Sequence, residues 1–144
     1  MNLTEHFTLE EMTASEYAAR NGIKNTPSET SVQNLMLLCQ NVLEPLRQIV
    51  QKPVIITSGY RSKKLNAAIG GSSSSQHTKG QAADFIVIGL TLEEVFDIVA
   101  GQLPFDQLIQ EFGQWVHASF HEPLRKEKLL AKRVNGKTIY EQIV

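Results

Sequence analysis

Apolar residues recur every three or four positions from Val32 to Val50: Val32, Leu35, Met36, Cys39, Val42, Leu43, Leu46, Ile49 and Val50. That spacing puts them on one face of a long amphipathic helix, the expected main core helix. Thr26 reads as its N-cap, Pro27 as its first residue and Glu29 as the side chain that closes a capping box. Pro45 has no N–H to donate and is expected to kink the helix near its end. Ahead of it, residues 1–25 read as two short helical turns. One is opened by Thr8 with Glu11, and the other runs over 15–20 and stops at Asn21-Gly22.

After Pro53 the period changes to short β-branched runs. Residues 54–57 read as a strand feeding Ser58-Gly59-Tyr60-Arg61, and 63–69 as a short helix ended by Gly70-Gly71. The four serines at 72–75 read as a mobile loop at the mouth of a site. Residues 82–88 form a second strand closed by Gly89. Thr91 and Glu94 then cap a helix bearing Leu92, Val95, Phe96, Val99 and Ala100, which stops before Pro104. The final third reads as hairpins. Strands 107–111 and 115–120 flank Phe112-Gly113-Gln114, and strands 129–134 and 137–143 flank Asn135-Gly136, the pair that type I′ turns prefer. Helices first and hairpins late predict an α+β fold, with helices packed on one face of a mostly antiparallel sheet. A single domain over residues 1–144 is expected, and no internal repeat is visible.

Composition narrows the function. With 42% hydrophobic and 20% charged residues the chain is an ordinary globular one, and a net charge of −1 argues against a general nucleic-acid binder. Cys39, the single cysteine, falls on the apolar helix face and reads as a small buried hydrophobe. No run approaches the roughly 18 apolar residues of a membrane span. The first residues do not resemble a signal peptide. A monomer that does not insert into membranes is expected.

The chemistry concentrates at 75–84, Ser-Gln-His-Thr-Lys-Gly-Gln-Ala-Ala-Asp. His77 and Asp84 are both zinc-ligand types, too far apart for adjacent turns of one helix but suited to a loop and the strand it feeds. An Asp inside an apolar strand is costly to bury alone, and a metal resolves that cost. A catalytic zinc takes three protein groups and keeps one position for water. Among the 4 histidines, His117 lies in a strand and completes the set, whereas His6 and His121 lack ligand spacing and read as surface or supporting groups.

The pattern S-x-H-x-x-G-x-A-x-D, met at Ser75, His77, Gly80, Ala82 and Asp84 and followed by a strand histidine, resembles the zinc D-alanyl-D-alanine carboxypeptidases. Phage endolysins that cut peptidoglycan stem peptides belong to the same group, and the hedgehog signalling domain shares its fold. The resemblance extends upstream through residues 56–62 and to Asn25-Thr26-Pro27. It implies one zinc per chain on His77, Asp84 and His117, with a peptidoglycan stem peptide as substrate. It also implies a general base three or six residues before the last histidine. Gln114 cannot serve; Glu111 can. A three-residue loop at 112–114 would pair Glu111 with Trp115 and put both on the face of His117. By the same resemblance Arg61 binds the substrate carboxylate or the developing oxyanion, and Ser75 supports the site or the peptide. Trp115 stands where relatives often carry a histidine, which would replace a donor with an apolar wall. The basic residues Arg125, Lys126, Lys128, Lys132 and Arg133 read as a solvated strand face. Two alternatives remain open: an endolysin-type endopeptidase, and a non-catalytic zinc-stabilised binding domain, which Gln114 and Trp115 favour and Glu111 opposes. Action on the wall without a signal peptide fits a phage or prophage protein that stays cytoplasmic until release.

Overall fold

The computed structural model describes residues 1–143. Thr8 caps α1 (Leu9–Thr13) and Ser15 caps α2 (Glu16–Arg20), as their hydroxyls suggest. Asn25 then fastens this segment to the middle of the chain. Its amide donates to the carbonyls of Thr13 and Tyr60, and its oxygen accepts from the Ser62 N–H.

The long helix is present but starts later than expected. Ser28, not Thr26, is the N-cap of α3 (Glu29–Leu38), because its hydroxyl is the one that reaches an open N–H, that of Ser31 at 3.1 Å. Pro27 therefore lies outside the helix. Pro45 acts differently from a simple kink. The helix continues through a π turn, Cys39–Leu43, into α4 (Glu44–Val50), with the Glu44 N–H bonded to the Cys39 carbonyl five residues back. Pro45 follows directly in the first turn of α4, so the residue that cannot donate sits just after the widened turn. The wider turn rotates the positions after it. Ile49 is exposed and Val50 packs on the core, while Leu38, outside the expected face, is buried. Burial pushes the Cys39 thiol up to about 12, so it behaves as a packed apolar group.

Beyond the helix the chain forms β1 (Val54–Ser58), α5 (Lys63–Ala68), a 3₁₀ turn at Gln76–Lys79, β2 (Ala82–Val87), α6 (Leu92–Gln102), β3 (Gln107–Glu111), β4 (Trp115–Ser119), β5 (Glu127–Val134) and β6 (Lys137–Gln142). One six-stranded sheet results, in the order β1-β2-β4-β3-β5-β6. The α+β class and the mostly antiparallel sheet agree with expectation. The one exception is β5, which runs parallel to β3 after the chain crosses from β4. Both expected turns form, with Asn135 and Gly136 at φ 51 and 77 and Phe112 and Gly113 at φ 58 and 65.

Alternation along the strands gives the sheet two unlike faces. Ala83, Phe85, Leu108, Val116 and Ala118 join Leu35, Cys39, Val42 and Leu46 of the long helix and Val95 and Val99 of α6 in one core. Asp84, His117, Ile109 and Glu111 alternate with those residues and project from the other face. Leu65 of α5 is buried but does not belong to that core, and α5 packs beside the 3₁₀ turn.

Gly80 shows how tightly the turn that carries His77 is seated. It closes the 3₁₀ turn at φ 73, and a Cβ there would lie 2.4 Å from the Ser31 carbonyl oxygen of α3. Gly80→Ala therefore meets both a left-handed backbone and a main-chain clash. We expect it to destabilise the protein by about 2 kcal/mol or more. Urea unfolding checks this, and the variant should also lose metal affinity, because the turn carries His77.

Candidate metal centre and catalytic cleft

His77, Asp84 and His117 are brought together and buried, and they offer ligand atoms that all lie within 4.8 Å of one another. Each arrives by a different route. Ser75 accepts the His77 N–H and caps the 3₁₀ turn, which presents His77 from above the sheet. Asp84 and His117 are direct partners across β2 and β4. A bulge between Ile56 and Ser58 on β1 sets Ser58 opposite Asp84.

Hydrogen bonding fixes which atoms face inward. His77 Nδ1 lies 2.7 Å from the Gly59 carbonyl oxygen, which can only accept, so Nδ1 carries the hydrogen and Nε2 is turned to the centre. His77 Nε2 is 3.3 Å from Asp84 Oδ1, and His117 Nδ1 is 2.9 Å from the same oxygen. Metal bonds of about 2.0–2.2 Å in a tetrahedral site would separate ligand atoms by roughly 3.3–3.6 Å. The His77–Asp84 pair is at that spacing and the His117–Asp84 pair, at 2.9 Å, is slightly closer; two imidazoles and one carboxylate are a donor set that suits zinc, with a fourth position left over. Burial on its own would raise the Asp84 carboxyl. The electrostatic attraction of His77 and the hydrogen bonds of His117 and His77 outweigh it and hold the group well below the usual carboxylate range, so it stays ionised.

Arg61 lines the cleft beside Asp84 and is tied down by three partners. Its Nη2 contacts Asp84 Oδ2 at 3.3 Å, Nε donates to Ser58 Oγ at 3.0 Å and Nη1 to Asn66 Oδ1 at 3.2 Å. The Asn66 amide donates in turn to the Ser72 carbonyl, so the serine loop at the cleft mouth is tied to the same network. Ser75 lines the cleft while its hydroxyl serves the turn.

Glu111 and Trp115 are partners in the three-residue hairpin, on the His117 face. Trp115 is more than an apolar wall: its indole N–H donates to Glu111 Oε1 at 2.7 Å, leaving the other carboxylate oxygen uncommitted by that bond. The ring also meets Phe112 edge-on at 5.7 Å. His6 is remote and bonded to Glu44 at 2.6 Å, and His121 contacts Gln81. Neither belongs to the buried group.

The cleft around these residues is about 550 Å³ and is also lined by Gln76, Gln107, Arg125, Arg133, Thr138 and Tyr140. Sequence reasoning missed this wall. Its signal was the basic run of β5, but only the parallel pairing of β5 with β3 shows which of those residues turn toward the site. Asp106 anchors the wall from a buried position. It accepts from the Arg125 backbone N–H, Nε and Nη2 and from Gln76 Nε2, at 2.8–3.0 Å. Burial tends to raise its carboxyl, but these bonds prevail and lower it. Such a group stabilises the fold above its ordinary range near pH 4 and loses that contribution as the pH falls below it. We expect Asp106→Asn to cost about 1–3 kcal/mol at neutral pH and to flatten the loss of stability on the acid side, measured by urea unfolding across pH.

An α+β sheet carrying two histidines, an aspartate and a nearby carboxylate in one cleft is the arrangement of a metal-dependent hydrolase. Residues 5–119 match the family model described as Peptidase M15, and the chain belongs to that family of zinc metallopeptidases. No curated protein matches the sequence. Among the described residues, no helix is long and apolar enough to cross a membrane.

Proposed function

We propose that the protein hydrolyses D-amino-acid-containing stem peptides of bacterial peptidoglycan, in the manner of a D-alanyl-D-alanine carboxypeptidase, acting as a single-domain monomer. The observation that carries this reading is the convergence of His77, Asp84 and His117 in a cleft that also holds Glu111. These three residues would hold one zinc, which supplies Lewis acidity that makes water nucleophilic near neutral pH. Glu111 takes a proton from the attacking water and delivers it to the leaving amine as the C–N bond breaks. The Trp115 indole fixes the direction of that carboxylate. Arg61 holds Asp84 in place through Nη2, and its guanidinium brings a positive charge to the cleft that can meet the substrate's terminal carboxylate or the developing oxyanion.

A second reading, an endopeptidase that cuts within the stem or its cross-bridge, is favoured by the extent of the cleft. Its lining includes, besides the donors, Gly70, Gly71, Ser72, Ser74 and Ser75 of the serine loop and Arg133 and Thr138 of the last hairpin. Digestion of purified peptidoglycan, read by mass spectrometry, separates the two. Loss of a terminal D-alanine supports the carboxypeptidase, cleavage inside the stem supports the endopeptidase, and intact muropeptides refute both. A protein of this kind reaches the wall on release from a lysing cell or on a virion, in keeping with a phage or prophage origin.

A further inference from the structure

We infer that Arg133 recognises a side-chain carboxylate of the substrate and makes the enzyme select acidic peptides. This inference rests on the peptidase reading above and adds the substrate class. The basic run of the last third divides on folding. Arg125 is bonded to Asp106, Lys126 sits over the Phe105 ring and Lys132 pairs with Glu141. Arg133 makes neither an ion pair nor a side-chain hydrogen bond among the described residues. Its guanidinium instead lies 5.2 Å over the Phe112 ring, which holds the cation in place and leaves its N–H fork open.

The sheet register gives that fork its aim. Leu129 and Ala131 pair with Ile109 and Glu111, so alternate β5 residues face the cleft, and Arg133 is the next of them. Across β6 it pairs with Thr138, and Ala131 pairs with Tyr140. Between Glu111 and Tyr140 the sheet therefore carries only the small, buried side chain of Ala131, with the outer Cα atoms about 10 Å apart at two strand spacings. Thr138 and Tyr140 add hydroxyl donors. Burial and the negative charges of Glu111 and Asp84 raise the Tyr140 phenol, so it remains a donor rather than a phenolate. From His117 to Arg133 the path spans two strands and four residues, roughly 16 Å between Cα atoms, or three to four residues of extended peptide once the arginine reaches back. Arg133, Thr138 and Tyr140 all lie beyond residue 119, outside the family match, where this chain shapes its own wall.

The test uses zinc-loaded full-length Glu111→Gln protein and short peptides ending in D-alanyl-D-alanine, in which one position at a time carries Glu or Gln. Calorimetric Kd values should favour the Glu peptide by about tenfold at one position. Adding Arg133→Gln should abolish that preference while leaving the Gln peptide unchanged, and Arg133→Lys should restore part of it. A preference that survives Arg133→Gln, no preference in any register, or equal weakening of both peptides would overturn the proposal. Cleavage by protein with Glu111 intact is scored separately. If the carboxylate preference stands but no peptide is cut, the peptidase reading fails and the recognition site does not.

Discussion

Glu111→Gln should lower hydrolysis by about 10²–10⁴-fold while leaving zinc content and fold unchanged. The substitution removes proton exchange and little else. Glutamine keeps an oxygen that can accept the Trp115 indole N–H, which now lies 2.7 Å from Glu111 Oε1, so the side chain stays where it is. Steady-state kinetics on stem peptides, with metal analysis of the same samples, measures the effect. Gln114→Ala is the control. It sits in the exposed part of the same loop with no titratable group, and should cost far less. Equal cleavage by wild type and Glu111→Gln would remove Glu111 from its assigned role. Retained zinc and peptidoglycan binding with no cleavage by either would favour a binding domain.

Asp84→Ala should abolish metal binding and also destabilise the metal-free protein by about 3 kcal/mol. Both effects follow from one carboxylate with two sets of partners. Oδ1 faces His77 and His117, and Oδ2 faces Arg61, whose side chain is only 16% exposed. Removing the carboxylate deletes one metal ligand and strands a largely buried cation. His77→Ala should lose the metal without that second penalty. Comparing urea unfolding of the two variants in chelator separates the ligand role from the ion-pair role, and equal stabilities would contradict the account.

Much of the site was legible because its residues lie close in sequence or on strands with plain alternation. His77 and Asp84 sit in one ten-residue motif, and the apolar neighbours of Asp84 and His117 announce which face each strand buries. The three-residue hairpin could be read from Phe112-Gly113-Gln114, and it correctly joined Glu111 to Trp115. What could not be read were interactions set by distant pairing. The parallel placement of β5 beside β3 depends on how the chain crosses after β4, which no local pattern records. That placement brings Arg133 and Tyr140 to the cleft. The indole bond to Glu111 likewise needs a rotamer, not a residue type. The later helix start and the exposed Ile49 are local matters that competing hydroxyls and the π turn decided.

The central claim is that one zinc, held by His77, Asp84 and His117, makes this chain a peptidase. The most direct measurement strips the purified protein with a chelator and follows stem-peptide hydrolysis as zinc is added back. The account predicts no cleavage by the stripped protein and full recovery at about one zinc per chain. His77→Ala should not recover under the same conditions. Undiminished cleavage by the stripped protein, or zinc that is not retained by the unaltered chain, would contradict it.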